Sequence, residues 1–195
     1  MSNVKLDILS CTDCELSNAT TPVPFSGPSP NPFVVIGEAP GEDEEEQLKP
    51  FVGSSGVLLR RAIDLAFGEQ GYSDAFSYMN AVNCYPHGTP RPSHVSSCQK
   101  HLETQLAVLE ARYAIVCGGV ALNALWPNTA ASLSIRRYRG AWLTRKNDGC
   151  FYFPTWHPSA VLRAGGLGTA KGIEMMDDLI HYAGVVLKFA TPAVA

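Results

Sequence analysis

The chain has 195 residues, 46% of them apolar and 17% charged, with a formal charge of -3 and a pI near 5.9. That is enough for one well-buried core and too little for two, and it provides no global basic field to draw in a polyanion. No run approaches the roughly 18 uninterrupted apolar residues that span a bilayer, and Met1 to Ser10 lacks the basic start and apolar stretch of a secretion signal.

A single domain over residues 1–195 is therefore expected, cytoplasmic and monomeric, since no long apolar surface stripe is left over. Residues 1–32 read as an irregular arm. It carries Cys11-Thr-Asp-Cys14 and then Pro22, Pro24, Pro28, Pro30 and Pro32, a pattern that excludes regular helix or sheet. Phe33 to Ile36 is a short apolar run of buried-strand type ending in Gly37-Glu-Ala-Pro-Gly41. Such a turn stands where a parallel strand delivers its C-terminal end, the edge at which open α/β sheets bind ligands.

From Ser54 to Phe67 the apolar residues Val57, Leu58, Ala62, Ile63, Leu65 and Ala66 recur at helical spacing. A second strand is expected at 76–82, a loop rich in proline at 85–93, a helix at 95–111 and a third strand at Tyr113 to Cys117. Gly118-Gly119 leads into a short helix at 120–125 that Pro127 stops; a fourth strand at 150–154 runs into Thr155-Trp-His-Pro-Ser159, and residues 173–195 form a closing helix and tail. Alternating strands and helices imply an α/β fold, a three-layer α/β/α sandwich around a central four-stranded, mainly parallel sheet.

Six cysteines without a secretion signal point away from a disulfide framework. Cys11 and Cys14 form a CxxC in the arm, Cys84 ends a strand, and Cys98 lies near a helix start. Four thiolates from two segments can hold a tetrahedral zinc or a [4Fe-4S] cluster. A zinc ribbon more often shows a second CxxC, absent here, which tilts the reading towards the cluster. Cys117 and Cys150 sit in apolar strands and read as small buried hydrophobes. Arg136, Arg137, Arg139 and Arg145 make the one cationic cluster, balanced by the acidic run Glu42 to Glu46.

Taken in order, Cys11-x-x-Cys14, Gly37-Glu-Ala-Pro-Gly41, Pro50-Phe-Val-Gly53, Asn80-Ala-Val-Asn-Cys84, Cys98, Arg139-Gly-x-Trp142 and His157-Pro-Ser-Ala-Val-Leu-Arg163 form a specific set. It resembles family 4 of the uracil-DNA glycosylase superfamily, the group with a [4Fe-4S] cluster, from about Cys11 to Arg163. The resemblance implies a monofunctional DNA repair enzyme that flips uracil out of DNA and hydrolyses its N-glycosidic bond. It also assigns the cluster to Cys11, Cys14, Cys84 and Cys98, in a structural role that pins the arm. Alternatives are a glycosylase of the same fold for another or modified base, and a non-catalytic iron-sulfur DNA-binding module.

Residue by residue, the resemblance places uracil O2 and the attacking water at Glu38 and Ala39 and makes Phe51 the surface on which the flipped base stacks. Other branches carry Asp where Ala39 stands, so the carboxylate work passes to Glu38, Glu42 or Glu44, with Glu44 the first choice and Glu38 the second. Asn80 pairs with O4 and N3-H of uracil, a donor-acceptor pattern that cytosine reverses. His157 bonds O2 as charge builds on the leaving base. Leu162 is the wedge into the base stack, with Arg163, Arg137 and Arg139 on the phosphates. Gly41 stands where other branches place a bulky aromatic against the thymine methyl, so thymine exclusion is not secured by that position. The chain also departs from the family pattern in having Tyr85, not a basic residue, directly after Cys84, and in having Asn83 where Lys is frequent. No Arg/Lys-rich insertion surrounds His87 or His94, so covalent trapping of the base is not expected.

Overall fold

The computed structural model describes residues 3–146 and 148–190; the end of the expected tail, 191–195, lies outside them. Short apolar runs with no polar face must be covered on both sides, and this dictates the centre of the molecule. The runs are β1 (Phe33–Gly37), β2 (Ser77–Asn80), β3 (Tyr113–Cys117) and, after the two-residue β4 (Leu143–Thr144), β5 (Phe151–Thr155). They pair in the order β2-β1-β3-β5-β4, all parallel except β4, which runs antiparallel to β5. The expected parallel strands are all present, and β4 adds a fifth at the edge. Two residues are too few to show any periodicity in sequence.

Alternate side chains of each strand point to opposite faces. Val34, Ile36, Ala114, Val116 and Tyr152 face one core layer, and Val35, Ile115 and Phe153 face the other. The helices close these layers. In chain order they are α1 (Asn3–Leu9), α2 (Glu42–Gln47), α3 (Ser54–Phe67), α4 (Pro92–Leu109), α5 (Gly118–Leu125), the single turns α6 (Ile135–Tyr138) and α7 (Pro158–Arg163), and α8 (Ala170–Ala190). Leu102, Leu106 and Leu109 of α4 cover the first layer with Leu122 and Leu125 of α5. Leu59 and Ile63 of α3 cover the second with Met175, Leu179 and Tyr182 of α8. The result is a three-layer α/β/α sandwich.

The arm differs from its sequence expectation. Residues 3–9 form α1 and Glu15–Asn18 a 3-10 turn, because the prolines that forbid regular structure begin only at Pro22. The proline stretch itself is tied down by backbone and amide groups. Val23 N-H donates to the Asn83 carbonyl at 2.6 Å, the Asn83 amide donates back to Val23 at 3.0 Å, and Phe25 N-H donates to Gln105 at 2.9 Å. Asn83 therefore holds the arm.

The arginine cluster also differs from a DNA-facing patch. Arg139 donates through Nε to Asp178 Oδ2 at 3.1 Å and through Nη2 to Asp178 Oδ1 at 2.9 Å, and Thr155 Oγ1 donates to Asp178 Oδ2 at 2.7 Å. Arg145 is bidentate to Glu103 at 2.6 and 2.9 Å and also donates to Asp148. Both guanidinium groups are engaged by carboxylates of the same chain, which leaves Arg139 fewer donors for the phosphate contact expected of it. Arg137 lies over the Tyr138 ring at 5.7 Å.

Asp178 is buried, and burial lifts its pKa while Thr155 and Arg139 pull it back. Removing one partner of a buried ion pair costs about 3–5 kcal/mol because the other charge is left unpaired. Asp178→Ala is expected to lose that amount in urea denaturation and to melt roughly 2–4 °C lower per kcal/mol. A loss below about 0.5 kcal/mol would show that Arg139 is free to turn outwards.

Candidate active site

The C-terminal ends of the parallel strands open on one edge, and there the chain gathers Glu38 after β1, Asn80 at the end of β2, and His157 after β5. Together with Ala39, Gly41, Glu44, Phe51 and Arg163 they line a cavity of about 480 Å³. Gly37 makes the close approach possible: a Cβ there would lie 2.3 Å from Asn80 Oδ1 and 2.6 Å from Phe51 Cζ. Gly118, at φ +89, does the same for His157, whose Cβ would be 2.9 Å away.

Glu44 is buried at the start of α2, and both of its oxygens are occupied. Oε2 accepts the Gly41 N-H at 3.0 Å and Oε1 accepts the Gly53 N-H at 2.9 Å. A carboxylate reaching back to the residue before a helix is a capping interaction; the second bond reaches across to the loop of Phe51. Phe51 itself sits at φ 59, an unusual value for an aromatic residue. Its carbonyl accepts Arg60 Nε at 3.3 Å, and its ring lies 5.5 Å from that of Tyr78.

Glu38 is half-buried, and burial raises its pKa, with the Arg163 guanidinium acting in the opposite sense. His157 precedes α7, and its Nδ1 accepts the Ser159 N-H at 3.2 Å with Ser159 Oγ at 2.6 Å. An acceptor at Nδ1 leaves the proton of the neutral ring on Nε2. Burial, reinforced by Arg163, lowers the His157 pKa to about 4. Leu162 is 42% exposed on α7 beside Arg163. Every expected catalytic and base-binding residue thus meets at one cavity; Arg163 is part of its lining, Leu162 precedes it on α7, and Arg139 is not on the lining. Ser159, which the sequence does not single out, and Tyr85, which stands out there only as a departure from the family pattern, also border the cavity. The spacing of His157 and Ser159, two residues apart at a helix start, was the available signal for the first.

Behind this edge, Cys84 and Cys98 are buried with Leu16 and Val82, and Cys14 packs against them. Cys11 stands at the outer side, its thiol 3.2 Å from Asp13 Oδ2 and 3.2 Å from His101 Nε2. Burial pushes the Cys84 thiol up to about 12 and that of Cys98 up to about 11, with the neighbouring sulfurs adding to both. Thiolates are disfavoured there unless a cation balances them, and thiols from the arm, the loop after β2 and α4 suit a soft metal centre, with Asp13 and His101 lying beside Cys11 as further donors. Cys117 and Cys150 are buried in the sheet region, away from this group. Among the described residues no helix is long and apolar enough to cross a membrane.

Residues 23–180 match the Uracil DNA glycosylase superfamily. A Type-4 uracil-DNA glycosylase of Saccharolobus solfataricus is 33% identical over 174 residues, 83% of this chain and 78% of the relative. One from Thermotoga maritima is 32% identical over 170 residues, 84% and 83% of the two chains. One from Pyrobaculum aerophilum is 29% identical over 195 residues, 95% of each.

A histidine whose folded pKa is depressed binds fewer protons than in the unfolded chain between the two values, so it adds stability at higher pH and loses it as pH falls. For His157 that window runs from about 6.5 down to about 4. Its ring resonances, followed by NMR, are expected to stay those of neutral imidazole to about pH 5 and to titrate near 4. A midpoint above about 7 would place a charged ring in the cavity at neutral pH.

Proposed function

The chain belongs to the Uracil DNA glycosylase superfamily, and we propose that its sheet-edge cavity excises uracil from DNA in the manner of a type-4 enzyme. The observation that carries this reading is the meeting of Glu38, Phe51, Asn80 and His157 around one cavity of about 480 Å³. A pure DNA-binding module has no need of an aromatic platform, an amide, a neutral imidazole and a half-buried carboxylate in the same place. A single copy of the chain suffices, since all of these groups come from it.

The flipped base stacks on Phe51, and the Asn80 side chain donates its N-H to O4 and accepts N3-H. Cytosine presents the reverse pattern and leaves buried polar groups unpaired, which is costly. As the C1'-N1 bond breaks, its electron pair moves onto the base, and the Nε2-H of His157 is placed to bond O2 where the charge collects. A neutral donor suits this task because it holds its proton while stabilising the anion. Water attacks C1' and gives its proton to Glu38, leaving an abasic site. Burial has moved the Glu38 carboxyl upward, in the direction that makes it a better base. Glu44 is a positioning residue in this scheme, because both oxygens already serve Gly41 and Gly53; this reverses the order expected from sequence. Leu162 would fill the gap left by the base, with Arg163 and Arg137 on the phosphates.

The [4Fe-4S] cluster would be held by Cys11, Cys14, Cys84 and Cys98. When bound it supplies a structural staple between the arm, β2 and α4, with no part in bond cleavage.

Labelled oligonucleotides with one uracil, opposite guanine, opposite adenine or single-stranded, test the reading. Wild type is expected to leave abasic product. His157→Ala and Asn80→Ala are expected to fall about 10²- to 10³-fold in kcat, and Glu38→Gln comparably. No product from folded wild-type protein would turn the assignment to modified bases first and to a non-catalytic binder second. The purified protein is expected to be brown with broad visible absorbance, and Cys84→Ser to lose that colour; a colourless, zinc-containing protein would reject the cluster.

A further inference from the structure

Uracil and thymine differ only by a methyl group at C5, so any discrimination between them must come from what occupies the space beside C5. The orientation proposed above fixes where that space is. Sheet order runs β2-β1-β3-β5, with Asn80 at the β2 end of the cavity and His157 at the β5 end. With O2 directed to His157 and O4 to Asn80, the ring lies along the sheet edge. C5 adjoins C4, and so a 5-substituent projects at the β2 end.

At that end most of the wall is already committed. Asn80 reads the base edge and Phe51 its face. Glu44 has both oxygens bonded to backbone N-H groups. Gly41 has no side chain to offer. Of the other large lining residues Arg163 belongs to α7, after β5, which leaves Tyr85, five residues beyond β2, as the bulky side chain for this end.

Tyr85 is held from several directions. Cys84, immediately before it, is buried. The His87 ring lies 4.4 Å from its own, at φ 51 for His87. The far end of the same loop is fixed by Arg91, which pairs with Glu15 on the arm while His94 Nε2 lies 3.0 Å from the same carboxylate. The segment is therefore anchored at both ends to the parts of the chain that carry the cysteines.

The geometry points to Tyr85 as the specificity-determining residue that excludes thymine and other 5-substituted pyrimidines, doing by a ring from the loop after β2 what Gly41 leaves undone. It rests on the uracil-excising reading above. A steric wall distinguishes substrates by their size at C5, and one methyl-sized group in a close-fitting pocket is worth roughly 10- to 200-fold.

The test compares wild type with Tyr85→Ala, Tyr85→Leu and Tyr85→Phe on duplexes carrying uracil, thymine or 5-bromouracil opposite guanine. Binding of free uracil, thymine and 5-bromouracil to each protein is measured by calorimetry alongside. The quantity read is the ratio of 5-substituted base to uracil, so a general loss of activity cancels. Tyr85→Ala and Tyr85→Leu are expected to raise that ratio about tenfold or more, and Tyr85→Phe, which keeps the ring, to leave it as in wild type. An unchanged ratio in both truncations overturns the inference, as does wild-type protein that takes thymine as readily as uracil. If no protein cleaves uracil, the catalytic reading fails by itself, and the binding ratio alone decides whether Tyr85 excludes the methyl group.

Discussion

One buried carboxylate joins the two loops from which the cavity is made. Glu44 accepts the Gly41 N-H with one oxygen and the Gly53 N-H with the other. Hydrogen bonds to an ionised acceptor are about twice as strong as neutral ones, and a buried carboxylate deprived of them would be costly. The first bond closes the turn after β1; the second sets the loop in which Phe51 adopts a positive φ. A strained backbone persists only where its surroundings over-determine it. Here the surroundings are the Gly53 bond, the Arg60 bond to the Phe51 carbonyl, and the bare Gly37 beneath the ring. The clamp ties the platform to the turn that carries Glu38 and Ala39, a turn whose other side is held by the Ala81 and Val82 N-H groups on the Gly37 and Glu38 carbonyls.

How much of this was legible depended on the range of the interaction. The helix over Ser54–Phe67 and the strand over Tyr113–Cys117 coincide with their sequence expectations, because apolar periodicity is a local signal. The turn α7 and the strand β4 are too short to have a period. The residues around the cavity could be named from motifs, yet the division of labour between Glu38 and Glu44 could not, since it turns on where two oxygens point. Arg139 and Arg145 illustrate the same limit. Their carboxylate partners Asp178 and Glu103 lie 39 and 42 positions away, so in sequence they looked like a free basic patch.

The cysteine end of the molecule and the cavity end share one stretch of chain. Cys84 and Cys98 bracket the loop that begins with Tyr85 and ends at Arg91 and α4. Arg91 and His94 both reach Glu15, one residue beyond Cys14. A centre binding all the thiols would therefore fix the loop from behind while leaving its front on the cavity. Such a centre would limit how far that wall of the cavity can move.

The same edge balances charge without bringing in a strong field. Arg163 lowers the pKa of both Glu38 and His157, but in each case burial is the larger effect, and it acts in opposite directions on the two: upward for the acid and downward for the imidazole. Burial thus favours the neutral form of each group. For His157 this means a ring that donates from Nε2 while Ser159 occupies Nδ1; for Glu38 it means a carboxylate with a greater appetite for a proton. In the proposed reaction a leaving anion and an attacking water make opposite demands on their neighbours, and one partly buried edge would answer both, with Arg163 opposing burial at Glu38 and adding to it at His157.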